Sequence, residues 1–340
     1  MPDRSYPRKM VSMDIRLEEI KQWLQTDPAI RDFSIEPASA DASFRRYFRV
    51  RIPPGKSWIV MDAPPDKEDC TAFIDIAGRL IKAGVNAPEV KAYSAERGFM
   101  LLTDLGNTVY LDKLNAHNAD ELYRAAIDSL IHLQQVRTDC LPVYDETLLR
   151  QEMDLFRDWL LVRHLELNAD YDWLDDIFDF LIGNALEQPQ LFVHRDYHSR
   201  NLTWQDGQSP GILDFQDAVV GPLTYDLVSL LRDCYIQWPY DRVVNWVKYY
   251  CDSVQKKGLL RDRSDTGFLR WFDLMGVQRH LKASGIFARL WHRDGKNGYL
   301  NDIPRTVNYL LETSHRYPEL KDLEYFLITT VIPAIKDKQT

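Results

Sequence analysis

Cysteine is scarce in this sequence, and its placement argues against the uses that paired cysteines serve. The 340 residues include four widely separated cysteines with no C-x-x-C pair, which are Cys70, Cys140, Cys234 and Cys251. Structural zinc sites and disulfide frameworks need cysteines at close or matched spacings. We therefore expect neither of them, and we expect the chain to work in a reducing compartment, the cytoplasm.

An excess of positive charge is also missing. The formal net charge is -9 at pH 7. Proteins that hold nucleic acid through its phosphates need a basic face, because counterion release drives that binding. Nucleic acid is therefore not expected as the main partner, although the net charge does not exclude local basic pockets.

Long hydrophobic runs are absent as well. The first residues carry charges but no apolar stretch of signal-peptide length, and no run elsewhere is long enough to span a bilayer. Hydrophobic residues make up 45% of the chain and charged residues 27%. This composition is typical of a folded protein with one large domain or two lobes, and we expect no membrane partner.

The first third of the chain predicts a small sheet. Two β-rich runs flank a turn at Pro53-Pro54-Gly55, which is typical of a hairpin. Apolar residues then recur at helical spacing up to Gly84, where a helix should end. The elements predicted here are a helix at 16–24, strands at 44–50 and 57–62, a helix at 73–81, and strands at 89–93 and 99–105.

Beyond Gly106 helical periodicity dominates, and short strands return only around "LFVHRDYHSRNLTW" and "GILDF". The predicted fold class is therefore α+β and bilobal. A β-rich N-terminal lobe would comprise residues 1–105, and a larger helical C-terminal lobe would comprise residues 106–340. The helices predicted with bounds in this second part lie at 120–135, 146–165, 171–186 and 320–335.

A spaced set of polar side chains lies in "HRDYHSRN" and "ILDF". Asn201 follows Asp196 by five positions, and Asp214 follows Asn201 by thirteen. Phosphoryl transfer needs a carboxylate that orients and deprotonates the attacking hydroxyl, together with oxygen ligands for Mg²⁺. The set predicts Asp196 as the catalytic base and Asn201 and Asp214 as metal ligands. His-x-Asp alone could equally be a solvated turn, but the complete spacing favours the catalytic interpretation.

Residues 193–231, "VHRDYHSRNLTWQDGQSPGILDFQDAVVGPLTYDLVSLL", resemble the core of the aminoglycoside phosphotransferase and choline kinase branch of protein-kinase-like enzymes. "ADASFRRYFRV", "VMDAPP", "GFMLLTDLG" and "QRHLKASGIFARL" extend the resemblance over about residues 14–335. With these segments the chain is similar to the bacterial anomeric amino-sugar kinases of cell-wall recycling. The resemblance implies a protein-kinase-like fold, ATP and Mg²⁺ as cofactors, and a small-molecule acceptor.

The resemblance also implies roles for single residues. Asp196 matches the catalytic base of the family, and Asn201 and Asp214 match its metal ligands. Asp226 in "TYDL" matches the buried aspartate that braces the catalytic loop, and His194 is expected to give structural support. His194 and His198 both fit the family's loop, and each could equally be a hydrogen-bonded packing histidine.

Nucleotide binding must differ from that of protein kinases. Their G-x-G-x-x-G loop is missing from "ADASFRRYFRV", and their phosphate-binding lysine is missing from "WIVMDAP". We predict phosphate contacts from Ser43, Arg45 or Arg46 instead, because guanidinium groups suit phosphate oxygens. The family's hinge strand would correspond to 99–105, with the backbone near Thr103 and Asp104 meeting the adenine. Glu68 is a possible match for the helix glutamate that would pair with the missing lysine.

The acceptor is expected to be small, because the twelve positions from Asp214 to Asp226 leave no room for an activation segment. Residues 278–296 hold seven basic side chains and a single acid. A face of this kind suits a carboxylate, such as the lactyl group of N-acetylmuramate. The predicted acceptor contacts are Asp217, Arg279, Lys282 and Arg289. The alternative is an amphipathic helix whose cations simply face water, and Asp217 could equally cap a turn.

We therefore expect a kinase that phosphorylates the anomeric hydroxyl of N-acetylmuramate or N-acetylglucosamine, and we expect it to be a monomer. The same chemistry on choline, ethanolamine, an aminoglycoside or another sugar is the nearest alternative. A nucleotide-binding regulator without catalysis is a second one, suggested by the missing glycine loop and lysine. The intact set of Asp196, Asn201 and Asp214 argues against the regulator.

Overall fold

The computed structural model describes residues 14–40, 44–261 and 264–339. Two compact units are distinguished. The first comprises the described residues up to Thr71 together with Glu89–Asp104, and the second comprises Ala72–Pro88 and the described residues from Leu105 onward. Within the described part of the chain, no helix is both long enough and apolar enough to cross a membrane.

The first unit contains one helix and five strands. They are α1 (Ile15–Leu24), β1 (Ser34–Ala40), β2 (Arg46–Ile52), β3 (Lys56–Asp62), β4 (Val90–Ser94) and β5 (Phe99–Thr103). The strands form one antiparallel sheet in the order β1-β2-β3-β5-β4. The hairpin predicted around Pro53-Pro54-Gly55 is confirmed as β2 and β3, and the first predicted helix is confirmed as α1.

Apolar side chains on one face of this sheet pack against α1. Val50 and Val60 are fully buried there together with Ile20 of α1. Strand β1 was not predicted, because Pro37 interrupts the β-rich pattern. Proline cannot donate a ladder hydrogen bond, but it is tolerated at a sheet edge or bulge. Here β1 is the edge strand, and its register with β2 shifts between Pro37 and Ser39.

The second unit is mostly helical, and it supports two short two-stranded sheets. Its strands are β6 (Gln190–Val193), β7 (Leu202–Thr203), β8 (Gly211–Ile212) and β9 (Val219–Pro222). Its helices are α2 (Thr71–Lys82, of which Thr71 is grouped with the first unit), α3 (Tyr110–Lys113), α4 (Ala119–Leu133), α5 (Glu146–Leu155), α6 (Trp173–Leu186), α7 (Tyr225–Leu231), α8 (Tyr240–Lys256), α9 (Asp265–Asp294), α10 (Ile303–Ser314), α11 (Lys321–Phe326) and α12 (Ile332–Gln339). π-Helical turns at Phe156–His164 and Leu327–Val331 and 3₁₀ turns at Asn297–Asp302 and Pro318–Leu320 complete the unit.

Helix α9 runs for 30 residues through the second unit, and most of its side chains between Phe268 and Ala288 are buried. It begins where the Ser264 hydroxyl accepts a hydrogen bond from Gly267 N–H, and it ends at Gly295 in the left-handed region. Gly285 lets it approach the backbone of Leu155, since a Cβ there would lie 2.2 Å from the carbonyl carbon. The α+β, protein-kinase-like fold class is confirmed.

Candidate active site

Two pairs of short strands position the loop of residues 194–201. β6 enters the loop and pairs with β9, while β7 leaves it and pairs with β8. In the β7–β8 hairpin Leu202 lies opposite Ile212, and Leu213 N–H donates to Asn201 O over 2.9 Å. The hairpin therefore brings Asp214, which follows β8, next to the end of the loop.

The structure brings Asp196, Asn201 and Asp214 together. The Asn201 side-chain nitrogen donates to the Asp196 carbonyl oxygen over 3.0 Å and to Asp214 Oδ2 over 3.3 Å. Gln216, which the sequence did not single out, donates to Asp214 Oδ1 over 2.8 Å. Asp214 is exposed and has a φ of 64°, a strained conformation for a residue other than glycine that is frequent at functional sites.

The oxygen atoms of this cluster fit a magnesium ion. Asn201 directs its amide nitrogen toward Asp196 and Asp214, so its amide oxygen is the atom that a metal ion could take as a ligand. Mg²⁺ prefers one or two protein oxygens and completes its shell with water and substrate phosphates. Among the described residues no group of three or more His, Cys, Asp or Glu could hold a metal ion. Carboxylate and amide oxygens are donors that Mg²⁺ accepts.

Asp226, at the start of α7, holds the entry of the loop. Its two carboxylate oxygens accept hydrogen bonds from His194 N–H at 2.7 Å and from Arg195 N–H at 3.0 Å. Arg195 has a φ of 78°, so these bonds stabilise a backbone conformation that is unfavourable by itself. Burial raises the pKa of Asp226 to about 7, although both N–H donors favour the ionised form.

The His194 ring is neutral, with its proton on Nε2. Nε2 lies 2.9 Å from Leu213 O, which can only accept, and Nδ1 lies 3.2 Å from Asp196 N–H, which can only donate. Burial lowers the pKa of His194 to about 4, in keeping with a neutral ring. The imidazole therefore ties the loop to the residue before Asp214.

Asp233 holds the other half of the loop, and the sequence analysis missed it. Its Oδ2 accepts from Ser199 N–H at 3.0 Å and from the Ser199 hydroxyl at 2.5 Å, while Oδ1 accepts from Tyr235 N–H at 2.9 Å. Asp233 follows Asp226 by seven positions and lies two residues beyond the end of α7 at Leu231. Because Asp233 lies outside the helix, no helical spacing in the sequence could have predicted it.

The charges around Asp196 favour its ionised form. Burial by itself would raise the pKa of the Asp196 carboxyl, but nearby Lys282, His198 and Arg279 lower it, and the net direction is down. Burial lowers the pKa of His198, whose ring packs edge-on against Tyr235 at 5.4 Å. A carboxylate that is ionised at neutral pH can accept a proton from an attacking hydroxyl.

Lys282 reaches this region from α9 and has protein partners there. Its Nζ lies 2.9 Å from Glu152 and donates to the Tyr225 hydroxyl over 2.9 Å. Glu152 also pairs with Arg195. Glu152 could not be found from the sequence, because Arg195 lies 43 positions and Lys282 130 positions after it. No local pattern reports such separations.

The other predicted acceptor residues are placed differently. Arg279 is buried, with Nη1 at 3.8 Å from Cys234 Sγ, and Arg289 is half-buried. The Nε atoms of both arginines have no hydrogen-bond partner among the described residues. Asp217 is exposed in the turn after Asp214. Contacts of these residues with an acceptor stay predictions, but Arg279 and Lys282 do not face water as an amphipathic helix would predict.

The arginines predicted to contact phosphate pair with carboxylates in the first unit. Arg45 Nε lies 3.1 Å from Glu68 Oε2, so the glutamate considered for the missing lysine has an arginine partner instead. Arg46 bonds to Asp14 and to the buried Asp62. These pairs hold the guanidinium groups in defined positions.

The remaining predicted nucleotide contacts lie near β5 or outside the described residues. The Thr103 hydroxyl accepts from Glu89 N–H over 2.9 Å, and Thr103 N–H donates to Glu89 O over 3.1 Å. Asp104 pairs with Arg49, whose Nε is 2.7 Å away. Ser43 lies outside the described residues. Adenine or phosphate binding at these positions stays a prediction.

Comparison with known proteins gives consistent matches. The model of a phosphotransferase enzyme family matches residues 34–270. An N-acetylmuramate/N-acetylglucosamine kinase of Pseudomonas aeruginosa is 48% identical over 305 residues, which cover 88% of each chain. Its counterpart from Neisseria meningitidis is 41% identical over 322 residues, which cover 92% of this chain and 95% of the relative.

Solved structures share the fold at low sequence identity. An ethanolamine kinase of Plasmodium vivax superposes with a TM-score of 0.63 at 10% identity, covering 86% of this chain and 85% of the other. Such a likeness shows the fold alone.

Proposed function

The chain belongs to the phosphotransferase enzyme family, and from this premise we propose that it is an ATP-dependent kinase acting on the anomeric hydroxyl of N-acetylmuramate and N-acetylglucosamine. The product would be the sugar 1-phosphate, formed during peptidoglycan recycling. The observation that carries the proposal is the convergence of Asp196, Asn201 and Asp214 in a chain nearly half identical to a kinase for these sugars.

Asp196 is proposed as the base that aligns the sugar hydroxyl and accepts its proton as the bond to phosphorus forms. Lys282 and Arg279 lower the pKa of its carboxyl against the effect of burial, so it is ionised at neutral pH. Asp226 and Asp233 fix the backbone on either side of Asp196 through the hydrogen bonds described above. A base held in this way needs little reorganisation during the reaction.

Asn201 and Asp214 are proposed to hold Mg²⁺. When bound, the ion would neutralise charge on the phosphates of ATP. Gln216 hydrogen bonds to Asp214 and the Asn201 amide hydrogen bonds to the same carboxylate, so the protein orients this ligand from two sides. Ser43, Arg45, Arg46, Thr103 and Asp104 are retained as proposed nucleotide contacts.

We further propose that the protein acts as a monomer in the cytoplasm, where ATP and recovered amino sugars meet. The substrates themselves support this location.

A panel of acceptors tests the proposal. Release of ADP is measured with N-acetylmuramate, N-acetylglucosamine, choline, ethanolamine and an aminoglycoside, with and without Mg²⁺. We expect ADP release with the two amino sugars, dependence on Mg²⁺, and a product whose phosphate is released by mild acid, as an anomeric phosphate is. ADP release with choline or an aminoglycoside alone would reassign the acceptor. ATP binding without turnover of any acceptor would contradict the kinase proposal.

A further inference from the structure

Arg200 lies in the loop that carries Asp196, four positions after that residue. Its neighbour Ser199 is fixed by two hydrogen bonds to Asp233, and its neighbour Asn201 by the bond to the Asp196 carbonyl. The backbone at Arg200 is therefore held on both sides. Arg200 itself is exposed. A long cationic side chain is thus directed to solvent from a rigid part of the catalytic loop.

Two tyrosines hold the Arg200 side chain. Its Cζ lies 3.6 Å from the ring centre of Tyr235 and 5.8 Å from that of Tyr299. Tyr235 is hydrogen bonded to Asp233 through its backbone, and Tyr299 stacks on Phe287 of α9 with ring centres 5.8 Å apart. Stacking occupies the faces of a guanidinium but leaves its N–H edges free to bind an anion.

The carboxylates near Arg200 are held by other residues. Arg200 makes no ion pair with any other described residue. Asp302 bonds to Arg305 at 3.0 Å, and Asp233 accepts the three hydrogen bonds given above. By contrast, Lys282 is buried and paired with Glu152. Arg200 is therefore better placed than Lys282 to meet a carboxylate from solution.

We propose that Arg200, which lies over the ring of Tyr235 and near that of Tyr299, binds the carboxylate of the acceptor's lactyl group and so favours N-acetylmuramate over N-acetylglucosamine. This inference rests on the proposed function. The two sugars differ in the lactyl ether, which ends in the only carboxylate. A guanidinium and a carboxylate form two parallel hydrogen bonds, so the edge of Arg200 matches this one point of difference.

The test compares three acceptors with the wild-type protein and with Arg200→Gln. The acceptors are N-acetylmuramate, the methyl ester of its carboxylate, and N-acetylglucosamine. Since a charge-assisted pair contributes about 1.5–3 kcal/mol, we expect Arg200→Gln to lower kcat/KM for N-acetylmuramate roughly 10- to 100-fold. The ester and N-acetylglucosamine should be unaffected, and the wild-type preference for acid over ester should vanish in the variant.

Controls separate recognition from folding. Arg137→Gln removes another exposed arginine, one that is paired with Asp139, and should leave all three acceptors unchanged. Arg200→Lys keeps the positive charge but lacks the paired N–H donors of a guanidinium, so it should give an intermediate loss of kcat/KM for N-acetylmuramate. Equal losses for the three acceptors, or no loss for N-acetylmuramate, would overturn the inference while leaving the kinase proposal in place. A wild-type protein that phosphorylates neither sugar would overturn the proposed function and this inference with it.

Discussion

The catalytic loop of the second unit and the β2–β3 hairpin of the first both concentrate charge, but they balance it with different partners. Around the loop, Asp226 and Asp233 accept hydrogen bonds from backbone N–H groups and burial keeps His194 neutral, although Arg195 also pairs with Glu152. In the hairpin, arginines pair with the side chains of Asp62 and Glu68. Backbone donors carry no net charge, whereas salt screens ion pairs between side chains. The loop should therefore respond to pH and to single-atom changes, and the hairpin to salt.

The largest effect is expected at the base itself. Asp196→Asn keeps the size of the side chain but removes its ability to accept a proton, so kcat should fall about 10²- to 10⁴-fold. Nucleotide binding and the thermal unfolding temperature should stay close to those of the wild type. Steady-state ADP release measures kcat, titration calorimetry measures nucleotide binding, and scanning calorimetry measures the unfolding temperature. Asp206→Asn, in the exposed turn between β7 and β8, is the matched control and should keep full activity.

Retained turnover in Asp196→Asn would show that charge in the loop serves only its structure. The loop and the hairpin would then not differ in function, because the charges of both regions would only stabilise their structure.

The second largest effect is expected at Asp226 and Asp233, the two aspartates that accept hydrogen bonds from the catalytic loop. In Asp226→Asn and Asp233→Asn an amide N–H₂ replaces one accepting oxygen and faces a backbone N–H. A buried donor that loses its acceptor costs about 1–3 kcal/mol, so the free energy of unfolding should fall by that amount. Urea denaturation at low and at high salt measures it. Because the lost partners, backbone N–H groups and the Ser199 hydroxyl, carry no net charge, the loss should be the same at both salt concentrations. A loss that shrinks in high salt would contradict the backbone-donor explanation.

Sequence patterns predicted the parts of the site whose spacing is local. Asp196, Asn201 and Asp214 lie within one loop and one hairpin, so their positions could be counted along the chain. Glu152 could not be found in this way, because it meets Arg195 and Lys282 through packing of α5 against α9.

The alternative interpretation of residues 278–296, a helix whose cations face water, is wrong for the buried part of α9, for a physical reason. The cations of residues 278–296 suggest a water-facing stripe, yet Arg279, His280 and Lys282 are buried. A helix that other elements surround has no single solvent face, so periodicity does not separate its inner and outer positions. Toward the end of α9 the pattern holds, since His292 and Arg293 are exposed.

The pH response of the second unit can be measured outside the loop, at His280 of α9. Its Nε2 lies 2.8 Å from Arg232 O, and burial lowers its pKa to about 3. Between about pH 6.5 and 3 the unfolded chain binds a proton that the folded protein does not, so stability is lost as the pH falls through this window. From an unfolded value of about 6.5, one such histidine should contribute a loss of about 1.4 kcal/mol between about pH 7.5 and 5.5.

His280→Gln should remove that contribution, so its unfolding free energy should change about 1.4 kcal/mol less over this pH interval than that of the wild type. Urea denaturation at both pH values gives the difference. His132→Gln, at an exposed position, is the control and should keep the wild-type pH dependence. An unchanged pH response in His280→Gln would show that this imidazole titrates normally in the folded protein.

The smallest effect is expected in the first unit, at the pair of Arg51 and Glu36. The pair crosses from β2 to β1 diagonally, since Arg51 lies opposite Ser34, and both side chains are more than half exposed. A double-mutant cycle to alanine should give a coupling of about 0.2–1 kcal/mol at low salt, falling toward zero in about 1 M salt. The nearby pair of Arg49 and Asp104 is less than a tenth exposed on either side. Its coupling should be larger and should persist in salt, because water and ions screen buried charges less. Equal salt sensitivity of the two cycles would contradict this explanation. It would show that exposure does not determine how strongly salt weakens an ion pair in this region.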